Sequence, residues 1–236
     1  MSDEMRKNLL SLLFLSLLFF LYYAHVMNAP VTNDESFFAG ASVCAVDYTL
    51  YKDFNYNHFP IYPLFFSQIF SHIDHSYLFI ARIFTCVFAT LAVFVFFKAA
   101  KLVGGTPSAA WVTSLLVATS TLHMSTFKTA RNDPPAILLN LIGILATLTA
   151  INQVKNRSLL YFSGGLAFAM AIGMRVSFFY FPAIFLFYLV FESRQNSFRY
   201  DIKNIFLPFA AGGVSGLTPV LYYLIVTEDA FIRNTC

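Results

Sequence analysis

Asp34 and Glu35 are adjacent carboxylates in a polar segment that directly follows the first apolar run of the chain. At the boundary between membrane and water, such a pair could be a catalytic or a metal-binding site. The spacing from Thr32 to Glu35 also fits a capping box, in which the glutamate only stabilises the start of a helix. Acidic side chains favour the first helical turn in any case, so both interpretations stay open.

A second cluster places two cations directly before the predicted start of a helix. Lys128 and Arg131 precede Asp133, which Pro134 follows. Asp133 is a good N-cap, Pro134 suits the first helical position, and the basic side chains could simply reach the lipid headgroups. The alternative is an anion-binding site, because two cations beside a helix N-terminus attract negative charge.

Two further arginines lie close to apolar runs. Arg82 comes near the start of one run, and Arg175 interrupts the sequence between two others. A charge at membrane depth is costly, so each arginine is a candidate functional residue. Each side chain could instead extend to the headgroups and have no chemical role.

The composition predicts that most of this protein is surrounded by lipid. Of its 236 residues, 58% are hydrophobic and 11% are charged, and Phe alone occurs 29 times. A soluble domain carries about 25% charged residues, so a soluble globular protein is excluded. The net charge of +3 is spread between apolar runs, and we expect no nucleic-acid partner.

Three cysteines form no disulfide framework, although a bridge from Cys44 to Cys236 stays open.

Apolar runs predict an all-α integral membrane protein with about seven transmembrane helices in a single domain, residues 1–236. Several runs are shorter than the roughly 20 residues that a perpendicular helix needs. The runs cover residues 9–27, 76–97, 109–124, 135–151, 159–174, 178–191 and 205–226.

The distribution of basic residues predicts a cytoplasmic N-terminus, because short cytoplasmic connections are enriched in Lys and Arg. With this orientation nine basic residues are inside and six are outside. The inside residues are Arg6, Lys7, Lys98, Lys101, Lys155, Arg157, Arg194, Arg199 and Lys203. The outside residues are Lys52, Arg82, Lys128, Arg131, Arg175 and Arg233.

Residues 28–75 form the long first extracytoplasmic loop in this topology. From residue 34 to about residue 51, the spacing of apolar side chains predicts an amphipathic helix lying on the membrane surface. Its apolar stripe comprises Phe37, Ala41, Cys44, Tyr48 and Tyr51. Residues 53–63 are then aromatic and rich in turn-forming residues.

Several short motifs occur in an order that resembles the GT-C superfamily of polyprenyl-phosphate-sugar glycosyltransferases. They are Asp34-Glu35, Tyr51-Lys-Asp53, His58-Phe-Pro60-Ile-Tyr62-Pro63, Ala81-Arg82 and Thr129-Ala-Arg131-Asn-Asp133-Pro134. The resemblance covers residues 9 to about 223. It is closest to the branch of the lipid A aminoarabinose transferases, protein O-mannosyltransferases and bacterial dolichyl-phosphate-mannose-dependent transferase-like proteins. Phe59 stands where the family often has a proline.

The resemblance implies roles for eight residues and an anchoring role for Arg82. Asp34 would be the catalytic carboxylate, supported by Glu35. The donor phosphate would be held by Arg131, Arg175 and Lys128. The acceptor and the sugar would be lined by His58, Tyr62 and Asp133.

The implied reaction moves a sugar from a polyprenyl-phosphate donor to a lipid, glycan or protein acceptor at the extracytoplasmic face. No cofactor is certain, and a divalent metal stays open. We expect a bacterial inner membrane, with the endoplasmic reticulum second, and membrane lipids as neighbours. Since family members are longer, we expect this sequence to be an N-terminal portion.

The alternatives are a secondary transporter and a non-catalytic multi-pass protein. Transporters place ionisable residues and broken helices near the midplane, whereas the charges here lie mainly at the ends of the runs.

Overall fold

The computed structural model describes residues 3–152, 156–193, 202–227 and 231, and within these it contains helices and no β-strand. A 3-10 turn, Val176–Phe179, joins α8 to α9, and a π-helical turn, Ile202–Phe206, leads into α10. The helices are α1 (Asp3–Met27), α2 (Asn33–Asp47), α3 (Ile61–Phe70), α4 (Tyr77–Leu102), α5 (Pro107–Thr119), α6 (Thr121–Thr126), α7 (Asp133–Asn152), α8 (Arg157–Met174), α9 (Tyr180–Ser193) and α10 (Leu207–Thr227).

Four helical segments in the described part of the chain are long and apolar enough to cross a membrane. They are Tyr77–Leu102, Asp133–Asn152, Arg157–Met174 and Lys203–Thr227. The prediction of an all-helical protein is therefore confirmed, and these helices are compatible with a membrane protein. The predicted count of seven spans is not supported, because these four segments are the ones that meet this criterion among the described residues. The other three predicted runs fall on α1, on α5 with α6, and on the 3-10 turn with α9.

The predicted span over residues 109–124 is wrong as one continuous helix. Ser120 is extended (φ −64°, ψ 142°), so that α5 ends at Thr119 and α6 begins at Thr121. The Ser120 hydroxyl accepts a hydrogen bond from the backbone N–H of His123, at 3.2 Å. A serine side chain that caps a new helix competes with continuation of the old one, and hydropathy alone does not register this competition.

A helix forms where the surface helix was predicted, but it ends at Asp47 rather than near residue 51. Its position on the membrane surface stays a prediction. The capping box at its start is confirmed. The Thr32 hydroxyl accepts from the Glu35 N–H at 3.3 Å, and the Glu35 carboxylate accepts from the Thr32 N–H at 3.2 Å. The structure also contains α3, a short apolar helix inside the segment that the sequence assigned to a loop.

The predicted apolar stripe of α2 does not form a single face. Cys44 and Tyr48 are exposed and Ala41 is buried, while Tyr51 lies beyond the end of the helix. Cys236 lies outside the described residues, so the disulfide with Cys44 stays a prediction. Four of the basic residues used to orient the chain also lie outside them, namely Lys155, Arg194, Arg199 and Arg233.

The long helices pack side by side, α1 on α4, α4 on α7, α7 on α8 and α8 on α10. The contact between α8 and α10 is made by backbone. A Cβ added to Gly212 would lie 2.0 Å from the carbonyl oxygen of Phe162, and one added to Gly165 would lie 2.0 Å from that of Phe209. Small residues at a helix crossing let the backbones approach in this way.

An aromatic cluster fixes the first loop over one end of this row of helices. It joins Phe38 of α2 and Tyr62 of α3 to Met174 at the end of α8 and Tyr223 near the end of α10. The start of α7 reaches the same cluster through Ala136. The first loop, the start of α7 and the end of α8 are thereby brought together.

Candidate functional site

A cleft of about 400 Å³ opens where the first loop, the start of α7 and the end of α8 meet. One wall consists of Asp34 and residues 57–59, the second of residues 131–133, and the third of residues 174–177. The lining residues thus come from three connections between helices.

Four charged side chains in this cleft form a continuous chain of ion pairs. The guanidinium of Arg131 places Nη1 3.4 Å from Oδ2 of Asp34 and Nε 2.7 Å from Oδ2 of Asp133. Arg175 donates from Nη1 to the other oxygen, Oδ1, of Asp133. The two carboxylates differ in environment, because the side chain of Asp34 is 66% exposed and that of Asp133 only 7%.

The second and third walls are joined directly. The side-chain amide of Asn132 donates to the carbonyl oxygen of Met174 at 3.0 Å, which links the residue before α7 to the last residue of α8. Arg175 follows Met174, and its Nε lies 3.2 Å from the Ser177 hydroxyl, which accepts the hydrogen bond. Arg131 and Arg175 therefore have a fixed spatial relation.

The electrostatic environment of Arg175 reflects its proximity to Arg131. Burial lowers the pKa of Arg175, and the positive charge of Arg131 lowers this pKa further, whereas Asp34 acts in the opposite direction. Two guanidinium groups close together in a cleft offer more N–H donors than the two carboxylates beside them can accept. Such a surplus suits an anion with several oxygens.

His58 lies half-buried on the first wall. Its ring packs on Phe38 with centroids 5.0 Å apart, and its backbone carbonyl accepts a hydrogen bond from the hydroxyl of Tyr51 at 2.5 Å. Burial lowers the pKa of His58, the charge of Arg175 lowers it further, and Asp34 partly opposes them. The imidazole is therefore neutral at neutral pH and has one nitrogen that donates and one that accepts.

Glu35 is turned away from the cleft and is fully buried. Its carboxylate accepts two hydrogen bonds from Arg82, with Nε at 3.0 Å and Nη2 at 2.8 Å, and one from the backbone N–H of Ala130 at 2.8 Å. Arg82 also donates to the carbonyl oxygen of Ala29 at 3.1 Å. Burial raises the pKa of Glu35, but Arg82 and the backbone donors of Ala130 and Thr32 lower it by more. Glu35 therefore ties α2 to α4 and to the second wall.

Replacing Glu35 with Gln should destabilise the protein by about 3–5 kcal/mol, because it leaves the buried guanidinium of Arg82 without a counter-charge. Thermal unfolding in detergent would measure the loss. The matched control is Asp34→Asn at the neighbouring, exposed carboxylate, which should change stability by only about 0.5 kcal/mol or less. Equal melting of Glu35→Gln and the wild type would contradict the structural importance of this ion pair.

The structure brings together five of the eight residues that the sequence singled out. These are Asp34, His58, Arg131, Asp133 and Arg175, all of which line the cleft.

The other three, Glu35, Lys128 and Tyr62, are not among its lining residues in the described part of the chain. Tyr62 lies beneath the cleft, 1% exposed, with its ring packed on Phe38 and Phe66.

Three polar lining residues were not predicted as site residues, namely Asn57, Asn132 and Ser177. Each lies within two positions of a residue that was predicted. Its polar side chain beside a predicted site residue was the signal that could have identified it. No three His, Cys, Asp or Glu side chains group into a metal site within the described ranges. The divalent metal that the resemblance left open therefore has no assigned ligands.

A comparison with protein families finds one match, to dolichyl-phosphate-mannose-protein mannosyltransferase, over residues 58–224. The matched region is well over half of the chain and includes His58, Arg131, Asp133 and Arg175, whereas Asp34 lies before it. Comparisons with curated proteins and with solved structures give no match.

Proposed function

The chain belongs to the dolichyl-phosphate-mannose-protein mannosyltransferase family, and from this membership we propose that its cleft moves a sugar from a polyprenyl phosphate to an acceptor hydroxyl. Family members are membrane glycosyltransferases with lipid-linked sugar donors, in agreement with the long apolar helices. Within the GT-C superfamily, the proposal favours the branch of the aminoarabinose and protein O-mannosyl transferases.

The proposal is carried by the approach of Asp34 to Arg131. These residues are 97 positions apart in sequence, yet their side chains lie 3.4 Å apart in one cleft. A carboxylate can accept a proton, and a guanidinium can bind a phosphate. Transfer from a sugar phosphate needs both groups within the length of one sugar.

The proposed reaction assigns one step to each side of the cleft. The acceptor oxygen bonds to the anomeric carbon of the donor sugar and gives its proton to Asp34. The bond from that carbon to the phosphate oxygen breaks, and the phosphate leaves with the electron pair. Arg131 and Arg175 stabilise the negative charge that develops on the leaving phosphate, and they do so more strongly where water is scarce.

The remaining proposed roles follow from position. Neutral His58 faces the cleft opposite the arginines and would contact the acceptor or the sugar. Glu35 would support Asp34 indirectly, because it fixes the start of α2 to the second wall. The bias of basic residues supports a cleft on the extracytoplasmic side, with the N-terminus in the cytoplasm. The bacterial inner membrane stays the proposed location.

The direct test is sugar transfer by the purified protein from a panel of polyprenyl-phosphate sugars to lipid, glycan and peptide acceptors. We expect release of free polyprenyl phosphate that depends on both donor and acceptor. Absence of transfer and of polyprenyl-phosphate binding across the panel would overturn the proposed function.

Replacing Arg131 with Ala should raise the KM for the sugar donor and reduce kcat/KM by about 10²–10³-fold. This is the usual effect of removing one hydrogen-bonding group that stabilises a developing oxyanion. The matched control is Lys128→Ala, which removes a cation of the same segment that does not line the cleft. This control should keep most of the activity. A loss as large as that of Arg131→Ala would instead assign Lys128 to the phosphate site.

A further inference from the structure

Asp133 lies between the two arginines and contacts both. Its side chain is 7% exposed, whereas the side chains of Arg131 and Arg175 are 31% and 42% exposed. One carboxylate oxygen contacts Nε of Arg131 at 2.7 Å, and the other accepts from Nη1 of Arg175. The carboxylate thus contacts both guanidinium groups and is much less exposed than either of them, and all three side chains line the cleft.

Two guanidinium groups so close together repel each other unless an opposite charge lies between them. In a partly buried site this repulsion is weakly screened. A carboxylate that contacts both groups offsets the repulsion and fixes their relative orientation. Each guanidinium has five N–H donors, so donors remain for a ligand.

We propose that Asp133 is a positioning residue, whose carboxylate holds Arg131 and Arg175 side by side so that both donate to one phosphate group. The inference rests on the proposed function and refines the role of Asp133, which the sequence assigned to the acceptor or sugar lining. In this role Asp133 acts on the phosphate through the two arginines.

A purely local role for Asp133 predicts a different result. Asp133 is the first residue of α7, where a polar side chain can stabilise the helix start. Asn is as good as Asp at a helix N-terminus, so Asp133→Asn keeps the size of the side chain and the preference for a helix start. The substitution removes the charge and replaces one of the two acceptor oxygens by an NH2 donor, so that the side chain no longer presents an acceptor oxygen to both arginines.

Whether Asp133→Asn strengthens or weakens phosphate binding distinguishes a positioning role of Asp133 from an effect of its negative charge alone. Removing a negative charge makes the cleft more cationic, and charge alone would strengthen the binding of polyprenyl phosphate. A positioning role predicts that Asp133→Asn binds polyprenyl phosphate about tenfold more weakly, because a residue that orients a binding group typically contributes this much to affinity. It also predicts a fall in kcat of about 100-fold, because the arginines are misplaced.

The experiment compares Asp133→Asn with Asp34→Asn in the purified full chain. Both substitutions remove one carboxylate charge beside Arg131, but only the first removes the group that joins the two arginines. Calorimetric titration with polyprenyl phosphate in detergent should give weaker binding for Asp133→Asn and equal or tighter binding for Asp34→Asn. Wild-type affinity of Asp133→Asn would overturn the positioning role.

A comparison in a second background keeps the proposal falsifiable if Asp133→Asn alone misfolds. In an Arg131→Ala, Arg175→Ala background the carboxylate has lost both partners, so Asp133→Asn should fold at least as well as that background. It should cause no further loss of binding or activity, and a further loss would show that Asp133 contacts the ligand itself. A wild-type protein that neither binds polyprenyl phosphate nor transfers sugar would instead defeat the proposed function.

Discussion

Asp34→Asn should reduce sugar transfer by about 10²–10⁴-fold, the usual contribution of a positioned general base. Asn has nearly the same shape as Asp but does not accept the proton of the attacking hydroxyl. The side chain of Asp34 is 66% exposed and its ion pair with Arg131 is long, so the loss should affect turnover rather than folding. Initial rates with saturating donor and acceptor would measure the effect.

The control for this prediction is Asp47→Asn, which removes an exposed carboxylate at the other end of the same helix, outside the cleft lining. Asp47→Asn should keep wild-type turnover. If Asp34→Asn also kept wild-type turnover on a competent donor, Asp34 would not be the base.

Gly212→Ala should disrupt the fold, although it adds only one methyl group. The new Cβ would lie 2.0 Å from the Phe162 carbonyl oxygen and 2.9 Å from the Leu166 nitrogen, and both are backbone atoms of α8. Overpacking usually costs about 1–3 kcal/mol, and we expect the upper end of this range or more, because backbone cannot rotate away. The yield of monodisperse protein and the melting temperature in detergent would report the loss.

The next residue gives a closely matched control. Gly213 is in the same helix, and a Cβ added there would meet no atom within 4 Å. Gly213→Ala should be neutral, or stabilising by up to about 1 kcal/mol through helix propensity. Equal yields and melting temperatures of the two variants would contradict the backbone contact between α8 and α10.

The sequence predicted the parts of the fold that depend on hydropathy and local capping. The long apolar runs, the existence of α2 and its capping box follow from residue type and short-range spacing. The break at Ser120 and the short helix α3 do not, because both depend on which backbone hydrogen bonds form over a few residues. A window long enough to detect a transmembrane helix averages over such details.

The site was predictable to the extent that loops on one side of a membrane can meet. The common side of Asp34 and Arg131 followed from the order of the apolar runs. The partner of Glu35 did not, because Arg82 is 47 positions away and their pairing depends on how α2 packs on α4. Similarly, no local pattern shows that Asp133 contacts both Arg131 and Arg175.

The hydrogen bond from Asn132 to Met174 and the bond from Ala130 to Glu35 bear on how the protein responds to lipid chain length. Transmembrane helices adapt to thinner or thicker bilayers mainly by changing their tilt. These bonds and the ion pair of Glu35 with Arg82 join the ends of α4, α7 and α8 beside the cleft. We therefore expect a change of tilt to move mainly the opposite ends of these helices. The cleft should therefore keep its shape in short-chain and long-chain lipids alike.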